Sequence, residues 1–181
     1  ADALGLDEAG IRQVNAEAVT FARALRDRHE TASLPILING VIGPLGDGYR
    51  VDVARAVEEA ERLHTLQIRA LAEAGADLVS AVTMTHAEEA IGVARAAQAA
   101  GIPYILSFTV ETDGNLPSGQ GLQEALAEVE AATGGSALFY MVNCAHPTHF
   151  SHRLSGPMQG RIGGIRANAS RLSHAELDVA T

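Results

Sequence analysis

Apolar residues follow two alternating rhythms along this chain. Short, nearly continuous runs at 35–43 (PILINGVIG), 76–83 (ADLVSAVT), 103–110 (PYILSFTV), 137–144 (ALFYMVNC) and 161–169 (RIGGIRANA) read as strands. Between them, apolar positions recur every three or four residues, the spacing of a helix with one buried stripe. Asp7 is placed to cap a helix running to about Arg28, with Ile11, Val14, Ala18, Ala22 and Leu25 on its stripe. A second helix is expected over 52–74, started by Asp52 and closed by Gly75, with Val53, Val57, Ala60, His64, Ile68 and Leu71 inward. Thr85 with Glu88, and Ser173 with Glu176, have the spacing of capping boxes, and Gly101 stops the first of those two helices. Residues 122–131 form a shorter helix burying Leu122, Leu126 and Val129.

Strands apolar on both faces suit a parallel sheet covered on each side. Two architectures carry such alternation, an open doubly wound sheet and a (β/α)8 barrel. The open sheet usually has a glycine-rich phosphate turn after its first strand, and Gly43-Pro44-Leu45-Gly46 is not that turn. The strand ends instead carry Asn39, Thr83 and Thr85, Thr109 and Glu111, Asn143 and Cys144, and Asn168 and Ser170. Polar groups at every exit favour the barrel, whose function gathers there. Five strands leave about three of the eight to be supplied from elsewhere. The chain begins Ala1-Asp2-Ala3 and stops in what reads as the first turn of a helix, so it is expected to be cut from a longer protein.

At 181 residues and 47% hydrophobic, the chain is expected to be one ordered domain over 1–181. It shows no apolar stretch of membrane-spanning length and no basic-then-apolar opening segment. A single cysteine excludes a disulfide within the chain and fits a reducing cytoplasm. A net charge of −9 without a basic cluster argues against nucleic acid or an anionic membrane as partner. All 13 basic residues are arginine, which excludes Schiff-base chemistry on a lysine of this chain and a P-loop.

The candidate chemistry centres on Cys144, at the end of the run Tyr140-Met141-Val142-Asn143-Cys144-Ala145-His146-Pro147. Cys144 reads either as an ordinary buried cysteine or as a soft ligand at a strand exit. His146, His149 and His152 read as polar loop residues or, with Cys144, as a metal cluster. His64, on an apolar helical face, reads as a core histidine bonded to a backbone carbonyl. The 43–48 loop reads as a tight connection or a backbone contact to a ligand. Glu111 and Asp113 read as solvated loop residues or as a paired-carboxylate site of a barrel lyase or hydrolase. Asn143 and Asn168 either bind substrate or pin loops.

The run at 141–147 resembles the homocysteine S-methyltransferase family. So do Asn39-Gly40-Val41-Ile42-Gly43-Pro44, the stretch 64–77 (HTLQIRALAEAGAD), Glu88-Glu89-Ala90, Arg166-Ala167-Asn168-Ala169-Ser170, and Ser173-His174-Ala175-Glu176-Leu177-Asp178, in the same order. The resemblance implies an α/β fold, a (β/α)8 TIM-type barrel of which about strands three to seven are present. It implies zinc-dependent methyl transfer to homocysteine, giving methionine, from S-adenosylmethionine or S-methylmethionine. It makes Cys144 one of three zinc-binding cysteines, the other two falling beyond Thr181. The expected substrate contacts are Asn39, Thr83, Asn143 and Asn168, and the expected partner is a small thiol. Val82 stands where the family often has a glutamate for the substrate amine, leaving Thr83 as a neutral acceptor. The alternative is a non-catalytic barrel fragment that binds a ligand or associates with itself, because missing strands leave sheet edges and apolar faces uncovered.

Overall fold

A computed structural model describes residues 5–51 and 55–180 of the chain. The expected helix start at Asp52, the stripe residue Val53 and the opening Ala1-Asp2-Ala3 lie outside the described residues. Asp7 caps the first helix, α1 (Glu8–His29), by accepting the Gly10 N–H at 2.8 Å. Helices α2 (Val57–Ala74) and α3 (Ala87–Ala100) both end on glycines in the left-handed conformation. Gly75 has φ 90° and Gly101 φ 66°, and each turns its N–H back onto the last carbonyls. Helix α4 (Leu122–Thr133) follows, then a one-turn α5 (Pro147–Phe150), and α6 (His174–Val179) opens with a complete Ser173–Glu176 capping box.

The strands are β1 (Asn39–Ile42), β2 (Leu78–Met84), β3 (Tyr104–Thr109), β4 (Tyr140–Asn143) and β5 (Ile162–Arg166). All neighbours pair in parallel, and the spatial order is β1-β2-β3-β4-β5. A doubly wound sheet reverses its order at a switch point. This sheet does not, and helix follows helix in the same sense, α1 on α2, α2 on α3 and α3 on α4. That progression is an arc of a (β/α)8 barrel.

Alternation along the strands separates two faces. Val79, Ala81, Leu106, Phe108, Tyr140 and Val142 pack with the buried apolar face of the helices. The opposite, concave face carries Asn39, Val41, Ser80, Ile105, Ser107, Thr109, Met141 and Asn143, the pairing register setting the sense. Close helix contact depends on small residues. A Cβ on Gly92 of α3 would meet the Ala60 Cβ and the Glu61 backbone nitrogen of α2, each at 2.6 Å.

Three expectations about elements are corrected. On α1, Val14, Ala18 and Leu25 are exposed, and Val19 is the buried residue. The helix docks on α2 and the turn after it partly through arginines instead, with Arg23 donating to the Ala74 carbonyl at 2.6 Å and Arg26 lying 3.7 Å from Asp77. The Thr85–Glu88 capping box does not form. Helix α3 starts one residue later with His86 at the cap, and the Thr85 hydroxyl bonds the His86 Nδ1 at 2.9 Å. The strand expected at 35–43 pairs only from Asn39. Pro35 has no N–H to give a ladder.

Candidate functional site

The strand exits converge on Asn143 and Cys144. Asn143 is 2% exposed, and its side chain ties three strands together. Its Oδ1 accepts from the Ser107 hydroxyl at 2.5 Å and from the Thr83 N–H at 3.0 Å, and its Nδ2 donates to the Thr83 hydroxyl at 2.9 Å. Thr83 is thereby held at φ 63°, within the irregularity that shifts the β2–β3 register between Ala81 and Met84.

Cys144 follows at φ 55° and is half-buried. Its N–H donates to the Arg166 carbonyl of β5 at 3.0 Å, and its carbonyl accepts from the His174 Nε2 at 2.6 Å. The other ring nitrogen of His174, Nδ1, lies 3.1 Å from a Glu111 carboxylate oxygen. Tyr49 stacks on the same ring, centroid to centroid 4.0 Å. The Tyr49 phenol also lies against the Cys144 thiol. Its interaction with that sulfur, with partial burial adding to it, pushes the phenol up to about 12. Glu111, Cys144, Ala145, Asn168 and His174 line one crevice too narrow to admit a water molecule.

The other residues singled out in the sequence fall in different places. Asn168 is half-buried on that crevice, and its N–H donates to the Ala145 carbonyl at 3.0 Å. Asn39 stands at the opening of β1, not its exit, and donates from Nδ2 to the Ser80 hydroxyl at 2.9 Å. His149 lines the same crevice as Cys144, but His146, His149 and His152 do not form a metal cluster with it. The His146 ring accepts from the Thr148 N–H, His149 donates to the Arg171 carbonyl at 3.0 Å, and His152 is exposed. Among the described residues no group of three or more His, Cys, Asp or Glu is placed to hold a metal ion. Pro147 starts a single helical turn there, and the neighbouring His146 and His149 rings, 5.9 Å apart, bond to different partners. Glu111 and Asp113 are no carboxylate pair. Glu111 meets His174, while Asp113 accepts from Asn115 and shapes the loop.

His64 is buried as expected, but its partner is a carboxylate rather than a backbone carbonyl. Its Nε2 is 2.9 Å from Glu89 Oε1, and Glu89 is itself 1% exposed. The same oxygen accepts the Leu45 N–H at 2.6 Å, so this buried pair anchors the loop after β1. That loop delivers Tyr49 to Cys144. Tyr49 and the role of His174 were missed by sequence reasoning. His174 stood within the Ser173–Asp178 motif as a marker without a role, and nothing local in the sequence points Tyr49 at a sulfur 95 positions away.

Sequential parallel strands, helices on one face and polar groups at the carboxyl exits make this an arc of a TIM-type barrel with a cysteine at its mouth. The homocysteine S-methyltransferase family profile matches residues 1–174, and the chain belongs to that family. A curated relative, the homocysteine S-methyltransferase of Escherichia coli strain K12, is 32% identical in an alignment of 138 positions that covers 69% of this chain and 44% of that protein. The metallated form of the homocysteine methyltransferase MmuM from Escherichia coli superposes with a TM-score of 0.79 at 25% identity, covering 94% of this chain and 63% of that one. The apo form of MmuM gives 0.76 at 24% identity, over 93% and 64%. The chain therefore spans less than two thirds of each of these relatives.

Proposed function

We propose that the protein carrying this chain methylates homocysteine, giving methionine, with Cys144 as one thiolate ligand of a zinc ion. The observation that supports this reading is the presentation of Cys144. It ends a barrel strand, bonded through both backbone polar groups, with its thiol against Tyr49 at the mouth. A catalytic zinc site takes three protein ligands. The described residues offer one thiolate there, so the remaining donors would come from outside them. Zinc, when bound, would deprotonate and hold the homocysteine thiol, which is a poor nucleophile while protonated.

The chain's own residues would shape the pocket around that thiol. Asn168 lines the same crevice as Cys144, Thr83 is bonded to Asn143, the residue before Cys144, and Asn143 keeps one amide N–H beyond the three bonds it already makes. Asn39, bonded to Ser80 at the opening of β1, would act from deeper in the barrel. With Val82 in place of an acid, the substrate amine would meet neutral acceptors. The methyl donor in this reading is S-adenosylmethionine or S-methylmethionine, and the setting is cytoplasmic, the partner being a small thiol and not a nucleic acid. No helix of the described residues is long and apolar enough to cross a membrane.

The test is methionine formation by the full-length protein from homocysteine, with the two donors run in parallel. Product with at least one donor is expected, and its absence with both would overturn the reading. The other reading, a fragment that associates with itself, is favoured by exposed Phe21, Leu37 and Val41.

A further inference from the structure

We propose that His174 is a positioning residue for Cys144: its ring, oriented by Glu111 and stacked on Tyr49, holds the cysteine backbone in the left-handed conformation that keeps the thiol at the barrel mouth. This deepens the proposed function and rests on its assignment of Cys144 as the working thiol. A residue with a Cβ is crowded at φ 55° and stays there only when its surroundings hold it. Two backbone bonds act directly on Cys144. One comes from the sheet, the N–H to the Arg166 carbonyl. The other comes from a side chain, His174 Nε2 to the Cys144 carbonyl at 2.6 Å, and it is the shorter of the two.

The ring has little freedom. His174 is the first residue of α6, where the Ser173–Glu176 capping box fixes the backbone. Its side chain is 11% exposed, Glu111 takes the other nitrogen, and Tyr49 covers a face at 4.0 Å. Tyr49 comes from the loop after β1, Glu111 from after β3, Cys144 from after β4 and His174 from after β5. One imidazole thus joins four strand exits, and the residue it bonds most closely is the cysteine. A histidine serving only to fill space would not need a donor aimed at the carbonyl of a strained residue.

The test uses the full-length protein labelled with ¹³C-cysteine, in which the Cα and Cβ shifts of Cys144 report its backbone conformation. His174→Ala is expected to move those shifts away from the left-handed pattern and to lower kcat/KM for homocysteine about tenfold, or about 1.4 kcal/mol, at the lower end of what supporting residues around ligands cost. His174→Gln, whose amide nitrogen reaches the same carbonyl, is expected to restore both. Should His174→Ala fail to fold, Glu111→Ala decides, and a smaller drift of the same shifts is expected. Left-handed shifts that persist in His174→Ala, no rescue by His174→Gln, or unchanged shifts in Glu111→Ala would each overturn the assignment. If the parent protein shows no methyl transfer, the proposed function falls while the shifts still decide the role of His174.

Discussion

Thr83 and Cys144 are the two non-glycine residues with positive φ among the described residues, and one side chain, Asn143, stands between them. Each such conformation costs of order 1–3 kcal/mol, so neither persists without its hydrogen bonds. Asn143→Leu removes the acceptor for the buried Ser107 hydroxyl and the Thr83 N–H. A loss of about 1–3 kcal/mol is expected for each buried group left unpaired, seen as a lower urea midpoint. Tyr49 gives a second expectation. Its phenol titrates at about 12 in the folded chain against an ordinary 10.0, chiefly through the Cys144 sulfur. Below pH 10 both states keep the proton. Between about 10 and about 12 the unfolded chain loses it first, so stability falls as pH rises through that window. Burial pushes Tyr140 upward too and adds in the same sense. Cys144→Ala should bring one phenol back toward 10 in an absorbance titration, and an unmoved titration would place Tyr49 away from the sulfur. Of this site, Cys144 and Asn143 were legible in the sequence because a strand-end motif is local. Tyr49 was not, and Glu89 stood within a motif without a role, because their partners lie 95 and 25 residues away.

The helices show which signals are local and which are not. Asp7, Gly75, Gly101 and the Ser173–Glu176 box are where the sequence puts them, since a cap is decided by the few residues that form it. The α2 stripe of Ala60, His64, Ile68 and Leu71 is buried as read, because α3 packs on it. The α1 stripe is apolar, yet Val14, Ala18 and Leu25 on it are exposed, since a periodic pattern names a face without saying what covers it. The α2–α3 contact should be intolerant of volume. Gly92→Ala gains about 1 kcal/mol of helix propensity, but the new methyl meets fixed backbone at 2.6 Å. Overpacking costs about 1–3 kcal/mol, so a net loss of stability is expected by thermal melting. The Glu89–His64 pair under the loop after β1 behaves differently. Glu89→Leu strands the imidazole and the Leu45 N–H, and each buried group left unpaired costs about 1–3 kcal/mol. Chemical denaturation would show it, and a neutral effect would mean the pair does not anchor the loop.

In the molecule as a whole, the barrel class was readable because parallel strands, alternating helices and polar exits are all properties of order along the chain. The concave face was less so, since its residues alternate with buried ones and only the register sorts them. β1 and β5 are the sheet's edges among the described residues, and an unpaired edge invites pairing with another chain. Phe21, Leu37, Val41 and Ile165 add exposed apolar area. The 181 residues expressed alone should associate with rising concentration despite a charge of −9, and sedimentation velocity would show a monomer at all concentrations if they do not.

The proposed function converges on the Cys144 thiol, so the most direct measurement is methyl transfer to homocysteine by the full-length protein before and after Cys144→Ser. Serine keeps the size and the backbone bonds but removes the soft ligand. Turnover should fall by more than the roughly 10–100-fold that a supporting residue costs, with the fold intact by circular dichroism. Turnover within twofold of the parent protein would contradict the assignment of this cysteine.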